Sequence, residues 1–207
     1  MASIQIDLGK VQAMLEWLKT KLYLDSLAPN AQRRSVQRGQ VYRCNLGMGI
    51  GSEMQKERPC VIVQNDIANR KSPNVIIVPI THDLSTLPCM APIVPQVDSN
   101  GNTILDGQAN ASNIFCVSKA RLGNLVCTLT PADMRKVDEA VAKSIELMPY
   151  YADLTQKLND KLAYIERIKA DRNSAQDKLK EISAVLDTEE NLETAIEAIK
   201  KIYAQTT

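Results

Sequence analysis

"GSEMQKERPCVIVQNDIANRKSPNVIIVPIT", residues 51–81, holds two short apolar runs, "PCVIVQN" and "NVIIVPI", separated by a polar segment rich in Asn, Asp and Ser. Val and Ile dominate both runs, and Pro, Asn and Ser bound them, which is the pattern of strands and not of helices. A permanently charged side chain, Arg58, stands with Pro59 at the mouth of the first run. Outward from this stretch the same grammar repeats in "VYRCNL", "APIVPQV", "SNIFCVS" and "LGNLVCTL", and "DSNGN" at 98–102 has the residues of a hairpin turn. Gln40 to Leu129 therefore reads as a small all-β barrel or a compact mixed sheet.

The flanks have a different period. Ile4, Leu8, Val11, Leu15, Leu18 and Leu22 alternate spacings of four and three, the seam of an amphipathic helix, and Pro29 with the polar "NAQRRSVQ" is expected to end it. A second helix should start at Pro131, with Thr130 as N-cap and Asp133 reaching back to it. Pro149 interrupts that pattern. Beyond it a near-heptad stripe from Tyr151 through Leu154, Leu158, Leu162, Ile165, Ile168 and Ile182 to Leu186 predicts a long rod, and a last helix is expected to be capped at Asp187 or Thr188. The expected organisation is α+β: an N-terminal helix and linker over 1–35, a strand-rich domain over 36–148, and a helical hairpin or coiled coil over 149–207. Seamed helices need partners, so the extensions are expected to bury one another or to dimerise.

Composition narrows the function classes. No stretch of the 207 residues approaches the length of apolar chain that a membrane span needs, and the N-terminus lacks a basic region ahead of an apolar block, which points to a cytoplasmic protein. Cys44, Cys60, Cys89, Cys116 and Cys127 are odd in number, widely spaced and mostly in apolar company, as expected of reduced core thiols. With a single histidine, no zinc site or other metal cofactor is expected. Residues 30–127 carry ten Lys/Arg against six Asp/Glu, whereas 128–207 carry twelve against fifteen. A basic middle suits phosphates, and an acidic end could meet that middle.

Arg38-Gly39 before the first strand, Ser52-Glu53, Arg58-Pro59, Gln64-Asn65-Asp66, Ser72-Pro73 and a strand ending in Thr81 occur in one order that resembles the MazF/PemK family of toxin endoribonucleases. The resemblance runs over roughly residues 36–148. It implies an SH3-like small β-barrel of the MazF/PemK/CcdB type that homodimerises and cleaves single-stranded RNA at short sequences without a metal, leaving 2′,3′-cyclic phosphate and 5′-hydroxyl ends. Carried onto matching positions, it implies Arg58 and Thr81 as the catalytic pair. Glu53 would supply a base or hold Arg58, and Ser52, Gln64, Asn65, Ser118, Lys119 and Arg121 would contact RNA. A guanidinium suits the charge that develops on the non-bridging phosphate oxygens.

The sequence also departs from the family. A glycine pair usual between Ser-Glu and Arg-Pro is replaced within "MQKE", and Lys119 stands where a glutamine is common, which bears on base reading. His82 follows Thr81 directly, but the resemblance gives it no role and a lone histidine supplies only half of an acid–base pair. "GMGIGS", residues 47–52, precedes no helix and so reads as a loop at the RNA groove and not as a phosphate cradle. Tyr42 and Phe115, the aromatics available for base stacking, read as core. The partners implied are single-stranded RNA, a second copy of the chain, and a separate antitoxin or, in cis, the acidic C-terminal helices. Two competing readings remain, a non-catalytic docking module assembled through its helices and a gyrase-directed toxin.

Overall fold

The computed structural model describes residues 7–187 and 191–206. Ile4 of the N-terminal seam and the cap at Thr188 lie outside them. The chain divides into two compact units, Met1–Met148 and Pro149–Thr207.

The first unit contains β1 (Gln40–Asn45), β2 (Glu57–Ile62), β3 (Asn74–Thr81), β4 (Met90–Pro92), β5 (Gln96–Val97), β6 (Thr103–Leu105), β7 (Gln108–Asn110), β8 (Phe115–Ser118) and β9 (Leu122–Thr128), with helices α1 (Leu8–Ala31), α2 (Asp66–Lys71) and α3 (Pro131–Ser144). Every strand pair is antiparallel, and the strand path runs β4-β7-β3-β2-β1-β9 with β8 also on β3. Antiparallel sheet and helices make the unit α+β. The path is open, ending at β4 and β9. β3 is its pivot: one edge takes β2, and the other takes β8 along Asn74–Ile77 and then β7 at Ile80 and Thr81.

Both faces of the central strands are covered, which explains the unbroken apolar runs. One set of alternate residues, Val41, Val61, Val78 and Ile80, packs with Val137 and Ala140 of α3. The other set, Tyr42, Cys44, Cys60, Ile62, Val75 and Ile77, forms a second core with Val36, Val117 and Leu122. α3 begins as read, Thr130 accepting from the amide of Asp133 at 3.1 Å with Pro131 in the first turn. The 98–102 turn joins β5 to β6 through Gly101, whose φ of 81° suits a residue without Cβ. β6, β7 and α2 are too short to register as periodic patterns.

α1 differs from its expected form. It continues through Pro29 to Ala31, because a proline in the last turn forfeits a single amide and Gln32 N still donates to Ala28 O at 3.1 Å. Its Leu seam is not the docking face: Leu8, Leu15, Leu18 and Leu22 are all more than half exposed, while Trp17 lies against Gly47 in the loop between β1 and β2. The cysteines also divide. Cys44 and Cys60 are buried, Cys89 and Cys127 partly so, and Cys116 is exposed because it points off the outer face of β8. The thiol of Cys60 is pushed far up by its hydrogen bond to Cys44 and by burial, and burial also raises that of Cys127.

The second unit is α4 (Met148–Leu186) and α5 (Leu192–Thr206). α4 has 39 residues, which at the α-helical rise is roughly 58 Å. Pro149 lies in its first turn, where a missing amide costs nothing. At the start of α5 Asn191 accepts from Glu193 N at 2.9 Å, a capping contact made at that position and not at Asp187. Ser183 and Ala195 are the buried residues here among those described, and Tyr151, Leu154, Leu158, Leu162, Ile165 and Ile168 remain near half exposed. No helix among the described residues is long and apolar enough to cross a membrane.

Candidate active site

β2 and β3 pair Cys60 with Pro79, Val61 with Val78 and Ile62 with Ile77. The same register carried two residues further sets Arg58 across from Thr81. Alternation puts both on the face that holds Cys60 and Ile77 in the second core. The row extends on either side, since Cys44 of β1 pairs with Arg58 and Gln108 of β7 pairs with Thr81. An arginine, a hydroxyl and an amide thus share one row across adjacent strands.

Each is held locally. Arg58 is half-buried, and its Nε donates to Gln55 O at 3.0 Å. None of the described hydrogen bonds or ion pairs uses its two terminal nitrogens. Thr81 is 2 % exposed; its hydroxyl donates to Asp83 Oδ2 at 3.1 Å and accepts from Asp83 N at 3.2 Å. Gly107 presses on this turn so closely that a Cβ there would lie 2.4 Å from Thr81 O. The Oε1 of Gln108 is buried without a hydrogen-bond partner. Asp83 and Gln108 were not singled out from sequence. A Thr-x-Asp turn was the available signal for the first, and nothing short of strand register could reveal the second.

The loop from Leu46 to Lys56 closes beside Arg58. Leu46 N donates to Lys56 O at 2.9 Å and Lys56 N to Gly47 O at 2.7 Å. Glu53 does not hold Arg58: its Oε2 accepts from Ile50 N at 2.8 Å within the loop. Ser52 is exposed on the same loop. Arg121 joins this end, its Nη1 donating to Asn45 O at 3.0 Å and its guanidinium lying 5.3 Å from the centre of the Trp17 ring.

The remaining expected RNA contacts lie elsewhere. Gln64 donates through Nε2 to Asn69 Oδ1 and Asn74 O, each at 3.2 Å, and Asn65 caps α2 by accepting from Ala68 N at 2.9 Å. Both lie past the far end of β2 from Arg58. Ser118 pairs with Asn74 at that same end and caps the single 3-10 turn Lys119–Arg121. Lys119 is a correction to the sequence reading: it is 1 % exposed, and its Nζ donates to Asn69 O at 2.6 Å and Gln32 O at 3.4 Å. Burial holds its pKa below the ordinary lysine value. The ammonium ties α1 and α2 to the 3-10 turn and is not presented to a phosphate.

His82 Nε2 lies 2.5 Å from Asp106 Oδ1, on side chains 75 % and 47 % exposed. A solvated pair of this kind contributes little. His82→Ala is therefore expected to leave any RNA-cleavage rate within about threefold of the parent, because an exposed His–Asp contact off the Arg58–Thr81 row supplies no transition-state contact. A loss as large as that of Arg58→Ala would restore histidine acid–base chemistry. Among the described residues no group of three or more His, Cys, Asp or Glu is placed to hold a metal ion.

Residues 37–145 match the family model described as PemK-like, MazF-like toxin of type II toxin–antitoxin system. Endoribonuclease MazF4 of Mycobacterium tuberculosis is 36 % identical over 110 residues, 53 % of this chain and 92 % of that protein. Endoribonuclease EndoA of Bacillus subtilis is 33 % identical over 116 residues, 56 % of this chain and 98 % of its own length. Among solved structures, an endoribonuclease in complex with its cognate antitoxin from a mycobacterial species is 35 % identical, covers 54 % of this chain and 96 % of its own, and has a TM-score of 0.46.

Proposed function

Because the chain belongs to the PemK-like, MazF-like toxins of type II toxin–antitoxin systems, we propose that it is a toxin endoribonuclease that cuts single-stranded RNA without a metal. The observation that carries this reading is the alignment of Arg58 with Thr81 on one face of β2 and β3 within the matched residues. In the reaction the ribose 2′-hydroxyl releases its proton to solvent as its oxygen bonds to the neighbouring phosphorus, and the departing 5′-oxygen takes up a proton from solvent as its bond breaks, giving a 2′,3′-cyclic phosphate and a 5′-hydroxyl. Charge grows on the non-bridging oxygens. A guanidinium held by the Gln55 carbonyl offers its terminal N–H groups to them, and Thr81, whose single hydroxyl hydrogen rests on Asp83 Oδ2 in the structure, adds a neutral donor once that hydrogen turns to the phosphate. Arginine stays protonated near neutrality, so its role is electrostatic. Ser52 and Arg121 are the expected RNA contacts that remain at this end. The test is incubation of the purified full-length protein with a long single-stranded RNA in EDTA, with the cut ends mapped. Absence of cutting, or 3′-hydroxyl ends, would reject the reading.

The domain boundaries 1–35, 36–148 and 149–207 belong to the same proposal, with the matched region as an SH3-like small barrel in the cytoplasm. Core clusters on both faces of the sheet and the shared strand β3 support it. Two copies are proposed to form the working unit. Control is assigned to a separate antitoxin, in keeping with the family description. Residues 149–207 are a second route, acting in cis. If they restrain cleavage, a protein ending at Pro149 will cut faster than the full chain at moderate salt, and the gap will narrow as salt rises. Equal or lower activity at every salt concentration would assign α4 and α5 a structural role.

A further inference from the structure

α1 lies outside the matched residues 37–145, yet it is connected to the proposed active site. Its Trp17 is the chain's single tryptophan. The ring edge lies against Gly47 so closely that a Cβ there would stand 2.3 Å from Cζ2. Gly47 has a φ of 84°, a conformation that also favours glycine. The Arg121 guanidinium covers the ring at 5.3 Å, and Arg121 is itself anchored on Asn45 O. Asn45 Oδ1 in turn accepts from Gly47 N at 3.0 Å.

From Gly47 the connection reaches Arg58 through hydrogen bonds. Gly47 O accepts from Lys56 N at 2.7 Å, and Lys56 adopts a φ of 69°, uncommon for a residue with a side chain. The adjoining Gln55 uses both its oxygens: Oε1 accepts from Gly49 N at 3.3 Å, and the carbonyl accepts from Arg58 Nε at 3.0 Å. A loop with glycines at 47, 49 and 51 has many conformations available to it, and fixing one of them costs entropy. The tryptophan seated at its base selects the one in which Gln55 holds the guanidinium.

We propose that Trp17 is a positioning residue, through which the N-terminal helix keys the β1–β2 loop and sets the Arg58 guanidinium for phosphate contact. The inference rests on the endoribonuclease reading for its consequence, but its physical core is the link from Trp17 to Arg58. No local pattern marks Trp17 for this role, because only packing brings position 17 to position 47.

The test uses the full-length chain in four variants: Trp17→Ala, Trp17→Phe, Gly47→Ala and, as a control on the same helix, Leu22→Ala, whose side chain is 63 % exposed. Trp17→Ala and Gly47→Ala are expected to lower kcat about tenfold with KM within about twofold, because a displaced guanidinium weakens the transition state more than substrate binding. Trp17→Phe, which keeps an aromatic ring, should recover most of the loss, and Leu22→Ala should match the parent. The Arg58 Nε–H resonance in a nitrogen-15 spectrum, assigned by its disappearance in Arg58→Lys, should move in the first two variants and stay in the control. An unmoved Arg58 resonance in Trp17→Ala, an unchanged kcat, or an equal loss in Leu22→Ala would overturn the proposal. If the parent itself cuts no RNA, the endoribonuclease reading fails, and the Arg58 resonance alone decides whether Trp17 positions that side chain.

Discussion

Arg58→Ala should slow RNA cleavage by on the order of a hundredfold or more, the usual consequence of removing a preorganised donor to a developing oxyanion. The measurement is a single-turnover rate on an RNA carrying one mapped cut site, made alongside the unfolding curve of each protein. Stability should change little, because Arg58 is half-buried and the one hydrogen bond described for its side chain is to the Gln55 carbonyl. Arg58→Lys should recover only part of the rate, since an ammonium is a point charge without the planar fork that spans two phosphate oxygens. If Arg58→Ala cuts as fast as the parent, the Arg58–Thr81 row is not the active site. That outcome would favour the competing reading of the fold as a non-catalytic docking module.

Lys119→Ala is expected to act on folding and not on RNA. Its buried aliphatic stem and two carbonyl contacts place the loss at about 2–4 kcal/mol, the range for deleting a large buried side chain and leaving acceptors unpaired. Urea unfolding of the full chain checks this. Had Lys119 been a phosphate contact, the same variant would keep its stability, bind RNA more weakly and show a shallower dependence of affinity on salt. A normal unfolding midpoint with reduced affinity would therefore return Lys119 to the RNA surface.

Whatever depends on near neighbours is legible in the residues alone. The runs that became β1, β2, β3, β8 and β9, the 98–102 turn and the Thr130–Pro131–Asp133 helix start all follow from propensity, turn chemistry and capping within a few residues. Family motifs in a fixed order added Arg58 and Thr81. β6, β7 and α2 are not legible there, because three residues, or one helical turn and a half, carry too little periodicity to rise above loop composition. Tertiary structure alone decided which faces are used. The Leu seam marked α1 as a helix, but Trp17, off that seam, is the residue that meets the β1–β2 loop at Gly47 and the 3-10 turn at Arg121. A lysine two residues before an arginine looked like a second basic contact, yet one is enclosed by backbone carbonyls and the other stacks on an indole. Glu53 stood near Arg58 in the chain but turned into its own loop, while Asp83 and Gln108 came to Thr81 by a turn and by strand register. Exposure and partnership of a side chain are properties of surfaces that meet across long sequence separations, and no local pattern encodes which surfaces will meet.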